Sequence, residues 1–153
     1  MRILGLVPSF WTVPEGVRVA ANGAWTVGGL PIRHLPSLRL LKSRLCFSDE
    51  GAFLMDGPVR LPVQVEGPPF EVQGLELDPL TGEARGVLDD GSEEALQDLG
   101  LDHDTGRVVC SVRGGRARAV LSRTAHQALL DHVEQEGGSF FVVVGPRRVP
   151  FST

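Results

Sequence analysis

The chain has 153 residues, 42% of them hydrophobic and 22% charged, with a formal net charge of −4. That length suits one domain or two small halves, and it buries enough surface to fold without a metal or a disulfide. The net acidity argues against a general nucleic-acid binder, and no apolar run approaches the length that spans a bilayer.

Met1 to Trp11 is apolar, carries only Arg2 and is interrupted by Pro8. It is a poor signal peptide, and residues 1–16 read as an arm packing on the body. Asn22-Gly23 then separates two short apolar runs, 17–20 and 25–27, as a tight hairpin turn would. Pro36 suits a first helical turn, and Leu38, Leu41 and Leu45 form one helical stripe ending near Cys46. Asp49-Glu50-Gly51 marks a turn. From Val59 to Glu66 apolar and polar residues alternate, with Pro62 suggesting an edge position or a bulge.

Gly67-Pro68-Pro69 is a short, stiff link. It separates a first half, residues 17–66, from a second, residues 70–153. In Phe70–Asp78 the apolar set changes parity at Gly74, as a bulge there would require. Residues 92–101 fit a short helix or an irregular strand. The strongest element is the hairpin around Gly114-Gly115. One register pairs Val112 with Ala117, Cys110 with Ala119 and Val108 with Leu121 on its apolar face. The same register opposes Ser111 to Arg118 and Arg107 to Ser122 on the polar face. A second helix opens after Ser122 as N-cap, with a stripe of His126, Leu129, Leu130 and Val133, and Gly137-Gly138 ends it. Residues 139–144 are apolar on both faces and read as a central strand. The fold class is α+β: mainly antiparallel strands in two related halves, each with one main helix.

Cys46 and Cys110 sit in apolar surroundings and read as buried free thiols of a reducing, cytoplasmic compartment. No nucleophile elbow, phosphate loop or dinucleotide fingerprint is present. Asp102-x-Asp104-x-Gly106 has the wrong residues downstream for a calcium loop and reads as a surface turn. No histidine has a partner at metal-ligand spacing, so no metal and no cofactor is expected. Residues 76–104 carry ten acids and one arginine, whereas 105–130 carry five arginines and no acid. Two solvated faces that pair weakly would explain this. A basic ribbon of Arg113, Arg116 and Arg118, open to a phosphate or an acidic partner, is the sharper reading. Arg33 and Arg123 each lie near a helix N-terminus, where amides attract anions. Each could equally pair with a carboxylate such as Glu66. Trp25 and Phe70 would flank the junction of the halves, as stacking surfaces or as buried packing.

Several of these residues carry a resemblance. Asn22-Gly23-x-Trp25, Gly29-x-Pro31-Ile32-Arg33 and Val63-x-Val65-Glu66-x-x-Pro69-Phe70 resemble the bacterial family called domain of unknown function 1285. So do Arg123 at the last helix and the Ser139-x-Phe141 strand. The chain departs from that pattern at Asn22, Gly67-Pro68 and Gly57-Pro58-Val59-Arg60. The resemblance implies a two-part fold with internal duplication and a C-terminal half superficially like a pleckstrin-homology domain. It also implies a site between the halves for a nucleotide-like molecule, and a link to signalling. The expected function is therefore a non-enzymatic module that binds an anionic small molecule through Arg33, Arg123, Glu66, Trp25 and Phe70. A protein-interaction or homodimer surface on the arginine-faced hairpin is the alternative, and an enzyme of unfamiliar design stands third.

Overall fold

The computed structural model describes residues 14, 16–144 and 147–151, so the expected N-terminal arm lies outside the described residues save Pro14 and Gly16. The chain divides into two compact units, residues 1–69 and 70–153.

The first unit contains β1 (Val17–Val19), β2 (Trp25–Val27), β3 (Leu30–Pro31), α1 (Leu35–Arg44), β4 (Leu45–Ser48), β5 (Gly51–Asp56) and β6 (Val59–Val65). They form one sheet of order β3-β2-β1-β6-β5-β4. Neighbours are antiparallel except the central β1–β6 pair, which is parallel. The β1–β2 loop is longer than a two-residue turn. Ala20 and Ala24 close it by a 2.8 Å hydrogen bond, and Asn22 Oδ1 accepts from Ala24 N. Gly23 takes the left-handed backbone (φ 87°) the loop needs. In α1, Leu41 is fully buried, Pro36 lies in the first turn and His34 Nδ1 caps Ser37 N. The helix stops at Arg44, and Leu45 begins β4 directly. Pro62 lies in a central strand, not at an edge. It is tolerated because β1 pairs only with Gln64 and Val65, leaving the Pro62 stretch of β6 bonded to β5 alone.

The second unit opens with β7 (Phe70–Leu77), β8 (Ala84–Leu88), β9 (Glu93–Ala95), β10 (Gln97–Asp102) and β11 (Arg107–Val112). A single 3-10 turn at Arg113–Gly115 leads to β12 (Ala117–Leu121) and α2 (Arg123–Leu130). β13 (Val133–Glu136), β14 (Ser139–Val144) and β15 (Arg147–Phe151) complete it. The main sheet runs β10-β11-β12-β7-β8-β9, and β13-β14-β15 form a separate three-stranded sheet. Again only the central pair, β12–β7, is parallel. The register shift between Val72 and Gly74 is the bulge that the change of parity requires. The β11–β12 hairpin pairs Val112 with Ala117, Ser111 with Arg118 and Cys110 with Ala119. α2 packs on β7 and β12 through Ala125 and Leu129. It is shorter than its periodicity suggests: Leu130 is 46% exposed, Val133 belongs to β13, and Gly137-Gly138 turns the β13–β14 hairpin. Residues 92–101, ambiguous in sequence, are β9 and the start of β10.

The two six-stranded sheets share one topology. Each is a pair of three-stranded meanders whose first and last strands lie parallel at the centre. The fold is α+β in two related halves.

Candidate functional site

The acidic and basic stretches of the sequence meet at Arg113 in the second unit. Its Nη2 donates to Asp90 Oδ2 at 2.5 Å, and its Nη1 to Glu94 Oε2 and, at 3.2 Å, to Ser92 Oγ. Its backbone N–H donates to Glu94 Oε1 at 2.5 Å. The guanidinium also lies 4.6 Å from the Phe70 ring centroid, within cation–π range. The Asp90 side chain is only 4% exposed. Burial alone would raise its pKa. Two hydrogen bonds from Ser92 and the Arg113 charge outweigh that and hold the carboxyl below its ordinary value. This cluster spends its charges on itself. Arg113 is thus a structural tie, and of the ribbon Arg113, Arg116 and Arg118 the last two stand exposed.

A second arginine cluster is open. Arg107, Leu121, Arg123, His126 and Gln127 line a groove of about 400 Å³. Arg107 begins β11, and its Nη2 donates to the Leu121 carbonyl at 2.9 Å, which fixes the guanidinium at the end of the hairpin. Glu71 approaches it only to 3.9 Å. Arg123 is exposed at the first position of α2 and has no ion-pair partner among the described residues. Ser122 Oγ caps the helix by accepting from Ala125 N at 3.2 Å. His126, one turn on, presents a half-buried imidazole to the same groove. No carboxylate is among the described lining residues, so the groove offers two positive charges and a further donor.

The other residues singled out from the sequence are placed as follows. Trp25 is 2% exposed, and its Nε1–H donates to the Pro69 carbonyl at 2.9 Å. Phe70 is 1% exposed beneath Arg113. Both rings are packing surfaces within their own units. Glu66 pairs with Arg18 at 2.6 Å, not with Arg33, which is exposed ahead of α1. The Asp102–Gly106 segment is a surface turn, closed by Gly106 N to Asp102 O at 2.7 Å. Among the described residues no three His, Cys, Asp or Glu side chains are grouped to hold a metal, and no helix is long and apolar enough to cross a membrane. The sequence reading missed Arg107 and His126 as groove residues. The hairpin register was the available signal, since opposing Arg107 to Ser122 sets it beside Arg123.

These features define an α+β protein of two topologically matched strand units, the second carrying a basic groove. Its fold is that of the DUF1285 family proteins. It is similar to the crystal structure of a DUF1285 family protein from Silicibacter pomeroyi DSS-3, with a TM-score of 0.66 and 22% identity over 97% of this chain and 88% of that one. It is also similar to a DUF1285 family protein from Shewanella baltica OS155, with a TM-score of 0.57 and 19% identity over 76% of this chain and 91% of that one. Identity this low speaks for the fold alone. No protein-family profile and no curated protein matches the sequence.

Proposed function

We propose that this protein is a binding module for an anionic small molecule, seated in the second unit by Arg107, Arg123 and His126. The observation that carries the reading is two guanidinium groups lining one groove of about 400 Å³ with no acid in its walls. That volume falls within the range of ligand sites, roughly 300–1,000 Å³. Charge-assisted hydrogen bonds from arginine suit phosphate and carboxylate oxygens, so a nucleotide-like phosphate fits the chemistry. A sensor of such an anion would also suit the signalling link that the family resemblance suggests.

The test is a thermal-shift series with inorganic phosphate, ATP and citrate, repeated on Arg107→Ala and Arg123→Ala. A ligand at a hundred times its Kd adds about 2.7 kcal/mol, or roughly 5–10 °C for a chain of this length. Each alanine variant should bind about ten- to a hundredfold more weakly, because one charged hydrogen-bonding group is lost. Absence of any shift at millimolar concentration, or full affinity in both variants, overturns the reading.

A further inference from the structure

A second groove in the second unit has the opposite chemistry. It has a volume of about 660 Å³ and lies against β8, the β9–β10 corner, β14 and β15. Ala84, Leu96, Leu99, Val142 and Val149 supply apolar wall, and Glu83 and Asp98 stand among the lining residues. Among the described residues no arginine, lysine or histidine lines it. Glu83 is engaged by Arg85 at 3.1 Å. Asp98 is exposed and has no partner among the described residues. Its backbone is held at φ 52°, a conformation rare for residues with a side chain, where the β10–β11 register shifts between Gln97 and Gly100.

We infer that this groove is a binding site for an amphipathic cation, an amine carried on an apolar body. The apolar walls would cover the body, and the Asp98 carboxylate, with Glu83 beside it, would meet the ammonium group. Charge complementarity selects this occupant. A fatty acid of the same shape would bring a further negative charge beside the Asp98 carboxylate, with no cation among the described lining residues to meet it. The site shares no lining residue with the basic groove, so the two proposals stand or fall separately.

The test compares octylamine, octanol and octanoate by calorimetry on the intact chain, with amide chemical-shift mapping of Ala84, Leu96, Val142 and Val149. Octylamine is expected to bind saturably, octanol more weakly and octanoate weakest, with shifts at the mapped residues. Asp98→Gly removes the carboxylate while suiting the left-handed backbone, so the fold is kept. It should weaken octylamine by up to about fivefold, as expected for an exposed ion pair, and leave octanol unchanged. Val149→Trp, at a position 36% exposed, should fill the groove and weaken both at least tenfold. The inference is overturned if octanoate binds as well as octylamine or if no probe binds. It is also overturned if Asp98→Gly binds octylamine like the parent, a result that stands even where Val149→Trp fails to fold.

Discussion

Replacing Arg113 tests the central tie of the second unit. Alanine removes the counter-charge from Asp90, whose side chain is 4% exposed, and from Glu94, whose side chain is 22% exposed. Removing one partner from a buried ion pair costs about 3–5 kcal/mol. Ser92 still donates twice to Asp90, which favours the lower end of that range. Loss of the cation over Phe70 adds about 0.5–1 kcal/mol. The expected destabilisation of Arg113→Ala is therefore about 3–4 kcal/mol in urea melts at pH 7. The backbone adds a second, less intuitive expectation. Arg113 has φ 55°, so glycine fits there better than alanine. Arg113→Gly should be more stable than Arg113→Ala by about 1 kcal/mol, although it removes more of the side chain. The pH dependence follows from Asp90. Its pKa is lowered on folding, so its contribution is present above the ordinary carboxylate pKa and is lost as pH falls through the depressed folded value. Without Arg113, burial works against the ionised form with only Ser92 to oppose it. The penalty of Arg113→Ala should be greatest near neutrality and shrink toward about pH 4 and below, where carboxylates take up protons. A cost under about 1 kcal/mol at pH 7, or an equal cost at both pH values, would refute the assignment of Arg113 as the tie.

Two further expectations concern other parts of the chain. The Cys110 thiol is fully buried, and burial, reinforced by the Glu94 charge against the opposing Arg118, pushes its pKa up to about 12. On the order of one molecule in ten thousand carries the thiolate at pH 8. Ellman's reagent should therefore titrate one thiol, the half-buried Cys46, in the native protein and two in urea. Stability should also decline above about pH 9, as the unfolded thiol ionises and the folded one does not. A Cβ on Gly67 would lie 2.3 Å from the Ala21 carbonyl oxygen and 2.5 Å from that of Ala20, and both obstacles are backbone. Gly67→Ala should cost more than about 4 kcal/mol in the first unit. Gly86→Ala meets only Leu96 and Val72 methyl groups at 2.9 Å and should cost about 1–3 kcal/mol.

The sequence was most legible where both partners of a pairing lie close together. In the 107–121 hairpin each strand alternates, so one register sorts every side chain and is the register observed. The Gly74 bulge was legible for the same reason, because a strand that changes parity keeps a single buried face only by inserting an unpaired residue. Helix α2 was over-extended since Val133 continues its 3.6-residue stripe. What ends the helix is the pairing of Val133 with Val142, nine residues away, which local periodicity does not contain. The arginines were harder still. Arg113 has carboxylate partners 19 and 23 residues distant, and the sequence showed only that an acidic stretch precedes a basic one. Nothing local separated Arg113, which is bound internally, from Arg123, which has no such partner.

The repeated topology supplies an internal control on the anion site. In each unit the last strand of the sheet ends beside the start of the strand before it. In the second unit that corner holds Arg107 and, just after the strand, Arg123. In the first unit β6 is followed by Glu66, which pairs with Arg18, and then by Gly67. Two residues after the last strand the first unit therefore carries a glycine where the second unit has Arg123. That glycine presses on the Ala20 and Ala21 carbonyls so closely that no side chain fits. One strand plan thus ends in a tightly closed corner in one copy and an open groove lined by two arginines in the other. Strand packing does not demand Arg123, because the first unit builds the same sheet with a glycine at the matching position. The proposed anion site therefore rests most directly on Arg123, a charge in an open groove that the sheet does not require and that has no ion-pair partner among the described residues.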